Sequence, residues 1–162
     1  MWGSLMAQGW GRSPLALTRD AGWRHAGSMT DVFRILVVIV LAVHGIGHII
    51  WFLAAWTRFS AGVKDGPWIP PGNVTIRSPL GKVWGILALI VLSYLVAAAI
   101  TLVSLEAAWR QLAYVGVLLS FVTVVPWLRQ SPRSTGTNAI IANLALMFVM
   151  ALPLSDELIG AA

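Results

Sequence analysis

His44 and His48 stand four residues apart in V-H-G-I-G-H-I-I-W, Val43–Trp51, inside one of the most apolar segments of the chain. Imidazole serves three kinds of chemistry. It ligates metals and heme iron, it relays protons near neutral pH, and it bonds between helices through either ring nitrogen. On a helix, residues i and i+4 share one face about 5–6 Å apart, so these two rings would act together. Half of a hydrolytic zinc site has this spacing, as H-E-x-x-H. Here the motif is H-G-I-G-H: the glutamate base is missing and no Asp or Glu lies deep in another apolar run. The spacing alone therefore does not make a zinc centre. Two histidines on one helix face cannot ligate a heme iron from opposite sides. A heme would take one axial ligand here and the other from elsewhere, such as a second copy.

Gly45 and Gly47 lie between the histidines. Both cost helix propensity, and both allow another backbone to pack closely. They also thin the helix beside the imidazoles. Polar groups at comparable depth in other apolar runs are Ser93, Tyr94, Ser120, Thr123 and Asn143. A bundle turning them inward would hold a polar patch of His44, His48, Ser120, Thr123 and Asn143, with Tyr94 within range. In apolar surroundings each group needs a hydrogen-bond partner, so mutual pairing is the expectation.

The elements that must position these groups are legible in composition. Of 162 residues, 58% are hydrophobic and 10% charged, against about 25% charged in ordinary soluble domains. A chain this short cannot bury so much apolar surface in water. Four runs are long enough for a hydrocarbon core of about 30 Å: Val32–Trp56, Val83–Val103, Ala108–Trp127 and Asn138–Leu154. The runs are continuous rather than alternating, which excludes a membrane barrel. The expected fold is an all-α integral membrane four-helix bundle. Asp31, Ser104, Pro126 and Asn138 stand at run ends and would mark helix boundaries. Several of the nine Trp also sit at run ends, as interfacial aromatic belts do.

Residues 1–28 carry Gly, Ser and Arg without periodicity and read as a disordered or interfacial leader. Met29, followed by T-D and the first run, is an alternative start. The transmembrane domain is expected over 29–155, with a short tail at 156–162. The long loop at 57–82, rich in D-G-P, P-P-G and S-P turn signals, reads as a cap across one mouth of the bundle. The other connections are short, so neighbouring helices should run antiparallel. Glu106 and Arg110 have the favourable i, i+4 order of a structural ion pair. Basic residues are densest beside the long loop, which points to a cytoplasmic loop and outward termini.

The chain has no cysteine, which removes thiol chemistry and iron–sulfur ligation. Its net charge of +5 is scattered between apolar runs rather than gathered in a block. That pattern suits lipid headgroups and not nucleic acid.

V-L-A-V-H-G-I-G-H-I-I-W-F resembles the first span of small four-span bacterial membrane proteins of the DoxX-like group, which often have a glycine near mid-span after a histidine or small residue. Gly45 after His44 fits that place. Where those proteins commonly continue with a lysine, this chain has His48. The resemblance implies a bacterial inner-membrane protein associated with quinone or thiol-redox partners, and the missing cysteine weakens the thiol version. Three functions stay open: a small helper or structural subunit, a quinone- or heme-associated redox component, and a small-solute or proton transporter working as a homo-oligomer.

Overall fold

In a computed structural model helices are the regular secondary structure of the described residues, which are 15–59, 62–64, 74–129, 133–153, 155 and 158–160, with the side chains of 15–28 and 133–134 excepted. The helices are α1 (Leu15–Gly47), α2 (Ile49–Trp56), α3 (Pro79–Val103), α4 (Trp109–Val124) and α5 (Arg133–Ala151), and a 3-10 turn, Val125–Trp127, ends α4. Of the expected leader, residues 1–14 lie outside the described part, and 15–28 continue α1 in their backbone.

Local chemistry explains the helix ends. Ser78 caps α3, its hydroxyl accepting from Gly81 N at 3.2 Å, and Pro79 fills a first-turn position where its missing N–H costs nothing. The helix therefore starts four residues before the expected Val83. At its other end Glu106 N donates to Thr101 O at 2.9 Å and Leu105 N to Leu102 O at 3.2 Å. This is a Schellman closure, with Leu105 in the left-handed position at φ 59°.

Asp31 and Asn138 are not caps. Asp31 lies within α1, and its carboxylate pairs with Arg34 on the next turn. Asn138 lies inside α5, which begins five residues earlier at Arg133.

The first apolar run is two helices. His48 N bonds Gly45 O at 3.0 Å and Trp51 N bonds His48 O at 3.1 Å, both i to i−3. The tightened turn separates α1 from α2 at the second glycine.

α3 is the central helix, packed against α1, α2 and α4; α4 packs on α5, and α5 meets α1 only lightly. The four long helices thus form a ring with one loose seam, between α1 and α5. Leu95 of α3 is fully buried between two glycines. A Cβ on Gly45 of α1 would lie 3.0 Å from Leu95 Cβ, and one on Gly116 of α4 only 2.7 Å from Leu95 Cδ2. Side-chain absence at those two points lets three helices converge. The C-terminal segment folds back onto the bundle: Leu158 is buried in the main core, its carbonyl accepting from Arg34, and Arg110 donates to Met150 O at 3.1 Å. At the other end Val63 and Ile76 of the long loop are buried with Trp51 and Trp127. There the Trp56 ring N–H donates to Lys82 O and that of Trp84 to Val122 O.

The outer surface is apolar. Ile35, Ile39, Val43 and Ile46 on α1, Ile86, Ile90 and Ile100 on α3, Leu118 on α4 and Leu144 and Phe148 on α5 are all exposed. Three segments, Met29–Trp56, Pro79–Val103 and Trp109–Trp127, are long and apolar enough to cross a membrane, and a shorter apolar helix covers Thr135–Ala151. A bundle that buries polar groups and exposes isoleucine inverts the arrangement water demands. The chain is a multi-pass helical membrane protein.

Candidate functional site

The break after Gly47 places His48 at the end of α1, and His44 one turn before it, facing α4 and α5. Their ring centroids are 5.2 Å apart and nearly perpendicular, at 78°. His44 Nε2 lies 2.7 Å from Asn143 Oδ1 of α5 and 3.3 Å from Ser120 Oγ of α4. His48 Nε2 lies 2.9 Å from the same Ser120 Oγ. Asn143 Nδ2 donates to Ser120 Oγ at 2.9 Å. A chain of hydrogen bonds thus runs His44–Asn143–Ser120–His48 and joins α1, α4 and α5. His48, Ser120 and Asn143 are buried, while His44 is half-buried.

Two ring nitrogens remain. His48 Nδ1 is fully enclosed and has no hydrogen-bond partner among the described residues. His44 Nδ1 is engaged by no described residue. Beside them, in the loose α1–α5 seam, is a groove of about 440 Å³ whose lining is mostly apolar and includes His44, Gly47, His48, Trp51, Thr135 and Asn138. Ile39, Val40 and Val43 of the lipid-exposed face also line it, so it opens sideways toward hydrocarbon rather than along the bundle axis. This has the composition of a small-molecule site: apolar walls with a few convergent polar groups.

The other residues singled out by sequence stand elsewhere. Thr123 is buried, but its hydroxyl bonds back to Leu119 O and Ser120 O of its own helix. It lines a separate, tight cleft with Trp51, Ile76, Trp84 and Trp127. Tyr94 is half-buried beside Gly116, and none of the cluster's bonds reaches it. Ser93 is exposed and bonds back to Leu89 O. In hydrocarbon, hydroxyls on helices are satisfied most cheaply by their own carbonyls, which removes them from any shared network.

The expected close packing at Gly47 needs correction. Gly45 meets α3, but around a Cβ on Gly47 no atom lies within 4 Å. Gly47 faces the groove, where no neighbouring helix stands. Glu106 lies in the turn before α4 rather than on it, so helical i, i+4 register does not bring it to Arg110.

Thr135 and Asn138 line the groove, yet neither stood out as a site residue in the sequence. Their signal was the face they share with Ala139 and Ala142, small or polar residues at i, i+3, i+4 and i+7. Trp51, expected as an interfacial marker, is buried and lines both cavities.

Among the described residues no three His, Cys, Asp or Glu side chains gather as metal ligands. Of the resemblance to DoxX-like proteins, the structure bears out only the several long apolar helices of a multi-span membrane protein. The chain matches no family model, no curated protein and no solved structure.

Proposed function

We propose that this protein is a four-span bundle of the bacterial inner membrane that binds a quinone-type lipophile, taken from the bilayer through the seam between α1 and α5. The observation that carries the reading is the groove itself. Its walls are apolar and continuous with the lipid-exposed surface, and its polar groups are the two imidazoles, Thr135 and Asn138. A ring with polar substituents and an apolar tail has this complementarity: the headgroup meets the imidazoles and the tail stays against Ile39, Val40 and Val43. The first-span resemblance points to the same partner class. Heme is the poorer fit, because both imidazoles lie on one side of the groove and His44 Nε2 is already held by Asn143.

The test is purification in mild detergent followed by an absorption spectrum and mass spectrometry of extracted lipids. Near-stoichiometric quinone, lost when Ala142→Trp fills the groove, is the expected result. A quinone-free protein that takes up none when it is added would sink the reading.

One observation favours a second reading, transport by an oligomer. The break at Gly47–His48 falls inside a membrane-length segment, and interrupted helices commonly line transporter sites. Voltage-dependent proton or solute flux through reconstituted vesicles would select it.

A further inference from the structure

Charge is divided unevenly between the two ends of the bundle. At the long-loop end, where α2 finishes, α3 starts and α4 closes, Arg58, Lys64, Arg77, Lys82 and Arg129 are all exposed, and no acidic residue is among the described residues there. At the other end Arg34 and Arg110 stand with Asp31 and Glu106. Arg34 is paired with Asp31, and the two arginines also donate to the carbonyls of Leu158 and Met150. The described side chains thus place five net positive charges at one end and no net charge at the other. The rest of the sequence keeps this balance: Arg133 offsets Asp65, and Arg12, Arg19 and Arg24 offset Asp20, Asp156 and Glu157. The net +5 of the chain is the surplus of the long-loop end.

Four of these cations stand at anchored positions. Thr57 Oγ1 donates to Leu53 O at 2.6 Å and accepts from Phe59 N at 3.0 Å, which fixes the turn carrying Arg58. Lys64 follows buried Val63, and Arg77 follows buried Ile76. Lys82 lies in the first turn of α3, where its carbonyl accepts from the Trp56 ring N–H at 3.0 Å and its Nζ lies 5.5 Å from the centre of that ring. Among the described residues no carboxylate pairs with any of the four.

The same cations are interleaved with exposed apolar side chains. Trp56 and Phe59 flank Arg58, and Leu80 and Val83 flank Lys82. In a bilayer such aliphatic groups lie against acyl chains and Trp at the polar boundary, so cations one or two residues away stand at phosphate depth. A soluble acidic partner could cover them only by drawing Trp56, Phe59, Leu80 and Val83 out of lipid, which costs the burial those groups have.

We infer that the long-loop end is a docking surface for anionic phospholipid headgroups, whose phosphates pair with Arg58, Lys64, Arg77 and Lys82. Charge complementarity selects the headgroup: a zwitterionic lipid brings its own cation beside each phosphate and leaves the surplus unmatched. Anchoring of the four positions reduces the order lost on binding. None of the four lines the groove, so this surface stands whatever the groove holds.

The experiment reconstitutes the full chain in vesicles containing spin-labelled phosphatidylglycerol or phosphatidylcholine and measures their relative association with the protein. A cation close to an anionic surface favours it by roughly fivefold. Averaged over the whole lipid shell, the wild type should prefer phosphatidylglycerol at least about threefold, and high salt should erase most of that preference. Changing Arg58, Lys64, Arg77 and Lys82 together to Gln should bring the ratio close to unity, whereas Arg58→Lys with Arg77→Lys should retain it. Thermal melts in phosphatidylcholine check that the variants fold, and the salt dependence of the wild type needs no variant. Equal association of the two lipids with the wild type would overturn the inference. A preference undiminished in the four-Gln variant would place it on another surface and overturn it too. Binding of polyglutamate to the protein in phosphatidylcholine nanodiscs, without a preference for phosphatidylglycerol, would replace the lipid by a soluble acidic partner.

Discussion

His44 Nε2 lies 2.7 Å from Asn143 Oδ1, and that bond crosses the one seam where α1 and α5 otherwise scarcely touch. It closes the ring of helices without filling the gap between them. The result is a bundle joined by polar groups beside an open groove.

Asn143→Ala should therefore lower stability, by roughly 1–3 kcal/mol, because it takes a donor from the buried Ser120 hydroxyl and the nearest partner from a half-buried imidazole. Asn138→Ala, on the exposed wall of the groove, should stay within about 0.5 kcal/mol of wild type while weakening ligand binding. Thermal melts in one detergent compare the two. Equal melting of all three proteins would mean that the bond between α1 and α5 contributes nothing.

The two glycines of the histidine motif should part company. Gly47→Ala adds a methyl where no atom lies within 4 Å and gains up to about 1 kcal/mol of helix propensity. It should also narrow the groove and reduce uptake of the lipophile. Gly45→Ala sets a methyl 3.0 Å from Leu95 Cβ, and overpacking of that kind costs about 1–3 kcal/mol, which outweighs the propensity gain. The expected melting order is Gly47→Ala at or above wild type and Gly45→Ala below it.

Gly116→Ala should cost a similar amount, since its new Cβ would meet Leu95 Cδ2 at 2.7 Å. Leu95→Ala removes that atom and on its own costs about 2–5 kcal/mol. In the Leu95→Ala background, Gly116→Ala should be close to neutral. A double-mutant cycle reads the coupling; simple additivity would mean Leu95 is not what holds α4 off.

Leu105→Gly should stabilise the protein by about 1 kcal/mol. Leu105 occupies a left-handed position at φ 59° that burdens a residue with a Cβ and suits glycine. Its side chain is exposed, so little packing is lost. A melting temperature that falls instead would assign that side chain a contact with its surroundings in the bilayer.

Much of the fold was legible residue by residue. Ser104 ends α3 because its place after an unbroken apolar run makes it a natural terminator. Pro126 ends α4 through a 3-10 turn because it supplies no N–H. Asn138 has the residue type of a cap but not the place of one, because the helix runs back past it to Arg133 with Gly136 buried. The break at His48 was hinted at by the glycine pair, but propensity does not say which glycine will sit against a neighbour and which beside a gap.

Sequence by itself determined the class: helices, because long continuous apolar runs must satisfy their own backbone in lipid, and two imidazoles on one face, because i and i+4 always share one. It also set Ser120, Thr123 and Asn143 at comparable depth. Only tertiary structure decided that Ser120 and Asn143 turn to the histidines while Thr123 turns to its own helix. Rotation of each helix about its axis is set by how Leu95, Gly45 and Gly116 interlock, and that is a property of three helices packed at once. The same packing left α1 and α5 apart, and so made a groove that no single segment encodes.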